Sequence, residues 1–528
     1  MYGYTGQLLF VDLSCGSIRK QSLSLSLAKK FLGGSGLGAK VLYDEMPAHI
    51  SPFAAQSMLG FVSGALNATG CLMAGRYSVV CKSPLTNQWN ESNAGGVFGP
   101  VLRQAGFDAV FIKGISAGPV YIYIEDGNAE IRDAANLWGK TIPETEASLA
   151  EALNKNFSAA MIGPGGEHLH RSACIISDSH RAAGRGGSGA VMGAKKLKAL
   201  VVRGSRKVPV FDRPGIVRLG KEVMGWQEAG SKESLIDDFF KWGTNAAYGS
   251  DIFRKDAKPN GRINAGILDL TREQSKAVSA IVTDARFRSE YACYACPIGC
   301  GTAYGVGKEN GEIEPTARPK PGTMGAFGRK LANDDAQCVR MCNDYCDIYG
   351  LDTMIVADAL AWAMKGYESG KLTGEALDGI DLAWGNAKAI VAMTEKICKS
   401  EGVGAILAEG PDYAAVHWGL RPERLIPSGR VDCDLGIEEN HDFSPTKSNV
   451  MSEAEDVAPE NIAKVLSNAC GYCHFRDFGL PPVIQLAYLN AATGWGLTKE
   501  AFACTGKRIS SIVHAFNQRE SKRPDACR

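Results

Sequence analysis

Net charge is almost missing from this chain. Its 528 residues carry 58 Lys+Arg against 57 Asp+Glu, a formal charge of +1. No bulk field therefore draws it to nucleic acid or to a membrane surface. No window reaches the roughly 18 apolar residues of a membrane span. The first residues, Met-Tyr-Gly-Tyr-Thr-Gly-Gln-Leu-Leu-Phe-Val-Asp-Leu, lack a basic region followed by an apolar core, so no signal peptide is expected. Low-complexity tracts and internal repeats are missing too. So is Gly-x4-Gly-Lys-Ser/Thr, which argues against a nucleotide triphosphatase. The 16 cysteines are unevenly spaced and follow no export signal, which points to a reducing cytoplasm rather than a secreted disulfide framework.

What is present is length, glycine and clustered cysteine. A chain of this size buries a large core and divides into two or three domains. Many of the 61 glycines sit in short clusters, as tight turns close to a ligand require. Gln7–Leu13, Tyr77–Lys82, Ala109–Lys113, Val120–Glu125 and Lys198–Val202 read as strands. Beyond Pro209 the pattern turns helical. Asn333 is a candidate cap for a helix whose apolar positions Val339, Cys342, Cys346 and Tyr349 recur at three and four residues, with Gly350 where it should stop. Thr353–Tyr367 and Ala387–Ser400 read as further helices, and Glu438–Glu460 as an acidic loop. The expected class is α+β: a β-rich cofactor-binding domain over residues 1–208, then mainly helical domains over 209–410 and 411–528.

Cys293-Tyr-Ala-Cys296-Pro-Ile-Gly-Cys300 places three thiolates at short intervals with Pro and Gly between them. All-cysteine ligation without a nearby histidine suits an iron–sulfur cluster; a structural zinc ion is the rival. Either needs a distant fourth cysteine. Three glycine clusters also stand out: Leu32–Lys40; Lys82-Ser-Pro-Leu-Thr86 with Ser92-Asn93-Ala94-Gly95-Gly96 and Arg76 upstream; and His180-Arg181-Ala182-Ala183-Gly184-Arg185-Gly186-Gly187-Ser188-Gly189. The first follows no clear buried strand and has no acid placed as a dinucleotide site needs. The other two can present backbone N–H groups and arginines to a phosphate-bearing cofactor. Asp347 lies in the last turn of its helix, where a carboxylate opposes the helix dipole unless a ligand donates to it. Taken alone it reads as a solvated aspartate. Yet Asp347-Ile-Tyr-Gly350-Leu351-Asp352 has a counterpart in Asn468-Ala-Cys470-Gly471-Tyr472-Cys473: polar residue, two spacers, Gly, bulky residue, then Asp or Cys. Two such half-sites point to a ligand with two similar halves. Cys473 becomes the leading candidate for the fourth cluster ligand, with Cys470 second.

Almost end to end, these segments resemble the aldehyde ferredoxin oxidoreductase family of tungsten or molybdenum enzymes. The resemblance runs through Gly75-Arg76, Lys82–Thr86, Ser92–Gly96, Arg181–Gly187 with Gly189–Gly193, the cysteine triplet, Gly350–Thr353, Leu407–Gly410 and Thr493-Gly-Trp495. It implies a tungsten- or molybdenum-bis-pterin cofactor with a [4Fe-4S] cluster beside one pterin. It further implies that Arg76, Asn93, Arg181 and Ala182 hold the pterin phosphates and a bridging Mg2+. Gly95, Gly96, Ala183, Gly184 and Arg185 belong to the same loops. Asp347 and Asn468 would contact the pterins, with Gly350, Leu351, Asp352 and Tyr472 around them, and Cys473 would match the fourth cluster ligand.

Departures from the family pattern bear on the reaction. Where aldehyde-oxidising members carry a Pro-Glu pair, this chain has Pro319-Lys320-Pro321-Gly322-Thr323, and Asn468 replaces an aspartate. The active-site histidine region is not recognisable; Gly436-Ile-Glu-Glu-Asn-His441-Asp442-Phe stands in its place. His441 and Lys320 are the candidate catalytic residues, although a surface role for His441 is the plainer reading. The expected activity is two-electron oxidation of an aldehyde to a carboxylate, with a ferredoxin-like acceptor. An aromatic acyl-CoA reductase-type subunit working with electron-transfer subunits, or a non-catalytic electron conduit, remain the alternatives. The expected partners are a small-molecule aldehyde or acyl-CoA, the electron carrier and a second copy of the chain as a homodimer.

Overall fold

Alternation within single strands feeds two cores at once. In this computed structural model, which describes residues 1–154, 156–178, 180–229, 243–248, 276–277, 280–281, 287–304, 317–420, 459–473 and 483–521, the first sheet comprises β1 (Gln7–Asp12), β2 (Ser17–Ser22), β3 (Leu59–Ser63), β4 (Tyr77–Lys82), β5 (Trp89–Ala94) and β6 (Ala109–Lys113). Their order is β2-β1-β6-β3-β4-β5, with only β1 and β6 parallel. The second sheet comprises β7 (Val120–Glu125), β8 (Asn128–Asp133), β9 (Ser158–Met161), β10 (Ile175–Ser177), β11 (Arg181–Ala183) and β12 (Leu197–Arg203), ordered β11-β10-β9-β12-β7-β8. There, only β7 and β12 run parallel.

Successive strand residues point to opposite faces. Leu9, Phe61, Val79 and Val110 therefore enter the core between the sheets, where they meet Ile122, Ile124, Leu200 and Val202. Their neighbours Leu8, Val62, Val80 and Phe111 enter a second core on the outer face of the first sheet. With both faces covered, β3 and β4 are buried at every residue, the polar Ser63, Ser78 and Lys82 included.

That outer face is closed from both ends of the sequence. The helix Gly34–Glu45 covers part of it, and the late helices Pro459–Cys470, Val483–Thr493 and Lys499–Ser521 add Ile462, Leu466, Leu489 and Ile509 to the same core. A separate core joins the helices Pro321–Phe327, Ala336–Tyr349, Thr353–Glu368 and Ala387–Lys399. The class is α+β, as expected from the sequence: sheets over residues 7–203, then mostly helices.

Several local expectations shift. The glycine-rich run at 33–40 opens a helix rather than forming a turn. Arg181–Ala183 is an edge strand. The long helix is capped by Asp335, which accepts from the Gln337 and Cys338 N–H groups, while Asn333 accepts from Asp335 N–H and donates to Phe327. Asn333 was the candidate cap; the carboxylate two residues on is placed to take both orphan donors.

Candidate cofactor and cluster site

The two half-sites share one construction. Asp347 and Asn468 each lie in the last turn of a helix that ends at a glycine with positive φ, Gly350 at 74° and Gly471 at 72°. In both, the residue after the glycine bonds back five positions: Leu351 N–H to Cys346 O at 2.8 Å, and Tyr472 N–H to Ser467 O at 2.9 Å. This is the Schellman closure, which only a residue tolerant of positive φ completes without strain. Each glycine carbonyl then accepts from the sheet region, Gly350 from Cys174 N–H at 2.9 Å and Gly471 from Arg76 N–H at 3.1 Å. Leu351 and Tyr472 are buried directly behind these turns. Asp347 accepts from Asn343 Nδ2 at 3.2 Å. Asp352 is buried, and burial raises its carboxyl pKa against the nearby Arg185 charge.

Between the half-sites lies the edge of the first sheet. Arg76 binds the Asn93 side chain through Nε and its carbonyl through Nη2 at 3.0 Å. Asn93 reaches Ser78 Oγ at 3.4 Å, and Ser78 donates to Glu91 Oε1 at 3.0 Å. Glu91 and Asn93 share one face of β5 because they are two residues apart. Burial raises the Glu91 pKa, offset in part by bonds to Ser78 and Asn468. The sequence reading missed Glu91; the two-residue period counted back from Asn93 was the signal available. Gly95 and Gly96 follow β5, and Asp178 Oδ2 fixes the turn by accepting from Val97 N–H at 2.6 Å and Phe98 N–H at 3.1 Å. Asp178 was also missed.

The third cluster docks on the same edge. Ala182 and Ala183 pair with Ile176 and Ile175. Gly184 has open space around it. Arg185 N–H donates to Ser92 Oγ at 3.1 Å, and its carbonyl accepts from Asn90 Nδ2 at 3.3 Å. Arg181 lies over the Tyr291 ring, 4.6 Å from its centroid.

The cysteines converge on this edge from two directions. Gly96 N–H donates to Cys293 Sγ at 3.2 Å, and Tyr294 N–H to Gly96 O at 3.0 Å. Met73 N–H bonds Ala295 O and Cys473 N–H bonds Met73 O, both at 3.0 Å, so residues 73–76 are clamped between the cysteine loop and Cys473. Burial pushes the Cys296 thiol up to about 12, with Cys293 and Cys473 adding to it. Burial pushes Cys300 to about 11, with Arg181 opposing. Burial also opposes the Arg181 charge, but Tyr291, Cys293, Cys300 and Cys473 more than offset it and raise its pKa. Cys470, the second candidate, is fully buried in the apolar core.

Lys320 begins the helix Pro321–Phe327. Its side chain keeps accessible surface, yet burial lowers its ammonium pKa, with Arg181 adding to this and Asp347 and Cys300 opposing. Lys320 thus lies exposed beside the Arg181, Asp347 and Cys300 groups just described. His441 lies outside the described residues. A surface cleft of about 500 Å3 lined by Leu72, Ile216, Val217 and Met224 is elsewhere, on the outer side of the Met73 turn.

The residues fit an anionic, metal-bearing cofactor. Arg181 Nε and Nη2 are buried donors without a partner, and Asp352 Oδ2 is a buried acceptor without one. Each costs about 1–3 kcal/mol if left so. A phosphate and a donor-bearing ring would satisfy them. Raised thiol pKa values favour protonated cysteines in the bare chain, so metal binding there must release protons.

Known proteins resemble this chain over most of its length. Residues 8–204 match the family described as aldehyde ferredoxin oxidoreductase, N-terminal domain, and residues 264–428 match aldehyde ferredoxin oxidoreductase, domains 2 and 3. The tungsten-containing aldehyde ferredoxin oxidoreductase of Pyrococcus furiosus is 35% identical, across 98% of this chain and 89% of that protein. Its counterpart in Thermococcus kodakarensis is 34% identical over the same shares. The aliphatic sulfonate oxidoreductase, WOR-like subunit, of Pyrococcus furiosus is 31% identical over 79% of this chain and 68% of its own length. Among solved structures, the active-site complex BamBC of benzoyl coenzyme A reductase in complex with 1,5-dienoyl-CoA matches with a TM-score of 0.77 and 26% identity, over 99% of this chain and 90% of that one.

Proposed function

The chain belongs to the aldehyde ferredoxin oxidoreductase family, and from that premise we propose that this oxidoreductase converts an aldehyde to a carboxylate with a tungsten- or molybdenum-bis-pterin cofactor. The reaction balances as RCHO + H2O → RCOO− + 3 H+ + 2 e−. The carrying observation is the pair of similarly glycine-closed helix ends, one of which runs directly into Cys473. Arg76, Asn93, Arg181 and Ala182 hold the pterin phosphates and Mg2+; Asp347 and Asn468 bind the two rings; Cys293, Cys296, Cys300 and Cys473 hold a [4Fe-4S] cluster. When bound, the cofactor supplies the two-electron chemistry and the cluster a one-electron exit to a ferredoxin-like carrier.

The chain's own residues bind and move protons. Lys320, in place of the family's glutamate, presents an amine beside Asp347 and Arg181. As ammonium it donates to the substrate carbonyl oxygen; as free amine it accepts one of the protons released, and its lowered pKa brings the two forms closer to balance at neutral pH. Asp347 and Arg181 keep its surroundings polar.

A second reading is favoured by the same lysine and by the 0.77 TM-score to the benzoyl coenzyme A reductase complex: reduction of an aromatic acyl-CoA, with Lys320 facing an anionic substrate and electron-transfer subunits attached. The test is an anaerobic dye-reduction assay with an aldehyde panel, run beside a dienoyl-CoA oxidation assay, on protein analysed for W, Mo and Fe. About one W or Mo and four Fe per chain with aldehyde turnover supports the first reading. Dienoyl-CoA turnover alone replaces it with the second. Silence in both with iron present leaves an electron conduit. A cytoplasmic homodimer completes the proposal.

A further inference from the structure

Far from Lys320 in sequence and unused by the redox chemistry, two histidines converge on one hydroxyl. His168 Nδ1 lies 2.8 Å and His170 Nε2 2.5 Å from Ser400 Oγ. The rings stand at 71° with centroids 5.7 Å apart. One hydroxyl proton serves one ring nitrogen only, so the other ring must turn its own N–H toward the same oxygen. Behind His170, Glu409 Oε1 sits 3.5 Å from Nδ1. Glu409 is itself held by Arg171, whose guanidinium lies 3.7 Å from the Tyr413 ring centroid. At this ion-pair distance the carboxylate favours the ring proton on Nδ1, which has no hydrogen-bond partner of its own, and so favours an Nε2 lone pair facing the shared point.

Two chemistries fit a hydroxyl between imidazoles: a nucleophile activated by a histidine–glutamate pair, or a metal ion. The local field chooses between them. Ser400 is the C-terminal cap of the 13-residue helix Ala387–Lys399 and has φ 59°. The backbone around it therefore offers carbonyl oxygens and the negative end of the helix dipole. That field repels a developing oxyanion, which needs converging N–H donors, and attracts a cation.

We propose that His168 Nδ1, His170 Nε2 and Ser400 Oγ form a binding site for a divalent transition metal of the Zn2+ class, completed by water. Among the described residues no third His, Cys, Asp or Glu side chain joins the two histidines in a group that could hold a metal ion, so the hydroxyl and water fill the remaining positions and the ion exchanges readily. Zn–N bonds are about 2.0–2.1 Å, which small ring rotations reach from the present contacts. His168 is exposed and provides the entry; His170 is buried. The ion would brace a half-site from behind. The residues that follow His170 hold it: Asp352 N–H bonds Ser172 O at 2.8 Å, Cys174 N–H bonds Gly350 O at 2.9 Å, and Ser172 Oγ bonds Ala408 O at 3.0 Å.

The test uses the full-length chain, purified anaerobically with its cofactors and dialysed against a mild chelator, then titrated with Zn2+ by calorimetry and with Co2+ by absorption. Wild type should take up one Zn2+ that His168→Ala binds at least 10-fold more weakly, and Co2+ should give ligand-field bands that this variant lacks. His168 is exposed, so its replacement leaves folding intact, and equal melting of the two metal-free proteins checks this. Equal Zn2+ stoichiometry and affinity in wild type and His168→Ala overturns the proposal, whichever redox reaction the enzyme performs.

Discussion

Replacing Gly64 by alanine should displace Cys473, the proposed fourth cluster ligand, without touching any proposed ligand. Gly64 does not have positive φ, so the substitution carries no left-handed penalty and acts through contact alone. Its new Cβ would fall 2.5 Å from the Cys470 carbonyl carbon and closer still to the Gly471 backbone. Ordinary contact begins near 3.4 Å, so the two backbones must part by about 1 Å. Bonds of 3.0 Å from Ala65 to Ala469 and from Leu66 to Cys470, and 3.1 Å from Arg76 to Gly471, lie across that seam. Stretched by 1 Å, they leave the 2.7–3.2 Å range of a working hydrogen bond. Losing two or three buried backbone bonds at ~1 kcal/mol each, with some groups left unsatisfied, gives a loss of about 3–4 kcal/mol. Denaturant unfolding measures the stability, and iron analysis with spectroscopy of the reduced cluster measures loading. Gly118→Ala, where nothing lies within 4 Å, is the control. A Gly64→Ala protein with full iron and wild-type stability would refute the reasoning.

Four further outcomes can be checked directly. Cys473→Ser should purify with markedly less iron, whereas Cys470→Ser should keep its iron and lose only packing; iron assays on both separate the two candidates. Lys320→Gln should lower turnover by 10²-fold or more while leaving iron content unchanged, read by dye reduction beside iron analysis. Asp178→Ala removes the acceptor for two N–H groups at the turn after Gly96 and should cost about 1–2 kcal/mol in unfolding experiments. Burial holds the Lys195 pKa at about 8 against an ordinary 10.5. The unfolded chain therefore binds a proton that the folded chain does not between these values, and stability rises with pH across that window. Lys195→Met should gain on wild type by up to ~3 kcal/mol as pH falls from 10.5 to 8 and show no further gain below 8; paired unfolding curves at several pH values measure the difference.

Legibility in the sequence followed the range of the interactions involved. Helix ends were readable because they are local: Gly350 sits where the 3.6-residue pattern stops, and the helix Thr353–Glu368 ends within a residue of expectation. Strands β3 and β5 went unread. The first is a five-residue run buried on both faces, and the second carries Asn, Glu, Ser and Asn, residues that pattern rules assign to loops. Their strand state comes from pairing with β4, a partner that no short window contains. The half-site repeat was visible as six aligned letters, but its backbone equivalence depends on Gly350 and Gly471 sharing positive φ. Glu91 and Asp178 escaped because each acts across elements, toward Asn468 and toward Val97. The convergence on Ser400 was hidden for the same reason: 230 residues separate it from His170.

The closing of the first sheet from both ends of the sequence sets a timetable for making the enzyme. Synthesis delivers the sheet, the edge that carries Arg76 and Asn93, and Cys293, Cys296 and Cys300 long before Cys473 leaves the ribosome. Until then Leu8, Val62, Val80 and Phe111 lack part of their cover, and the edge that faces Arg76 has no opposing wall. On the proposed assignment the nascent protein stands open along the seam where the cofactor would enter, and the helices Pro459–Cys470, Val483–Thr493 and Lys499–Ser521 close behind it. A chain truncated before Pro459 should accumulate in an open form, since the helices that bear Asn468 and lead into Cys473 are also the roof over its core.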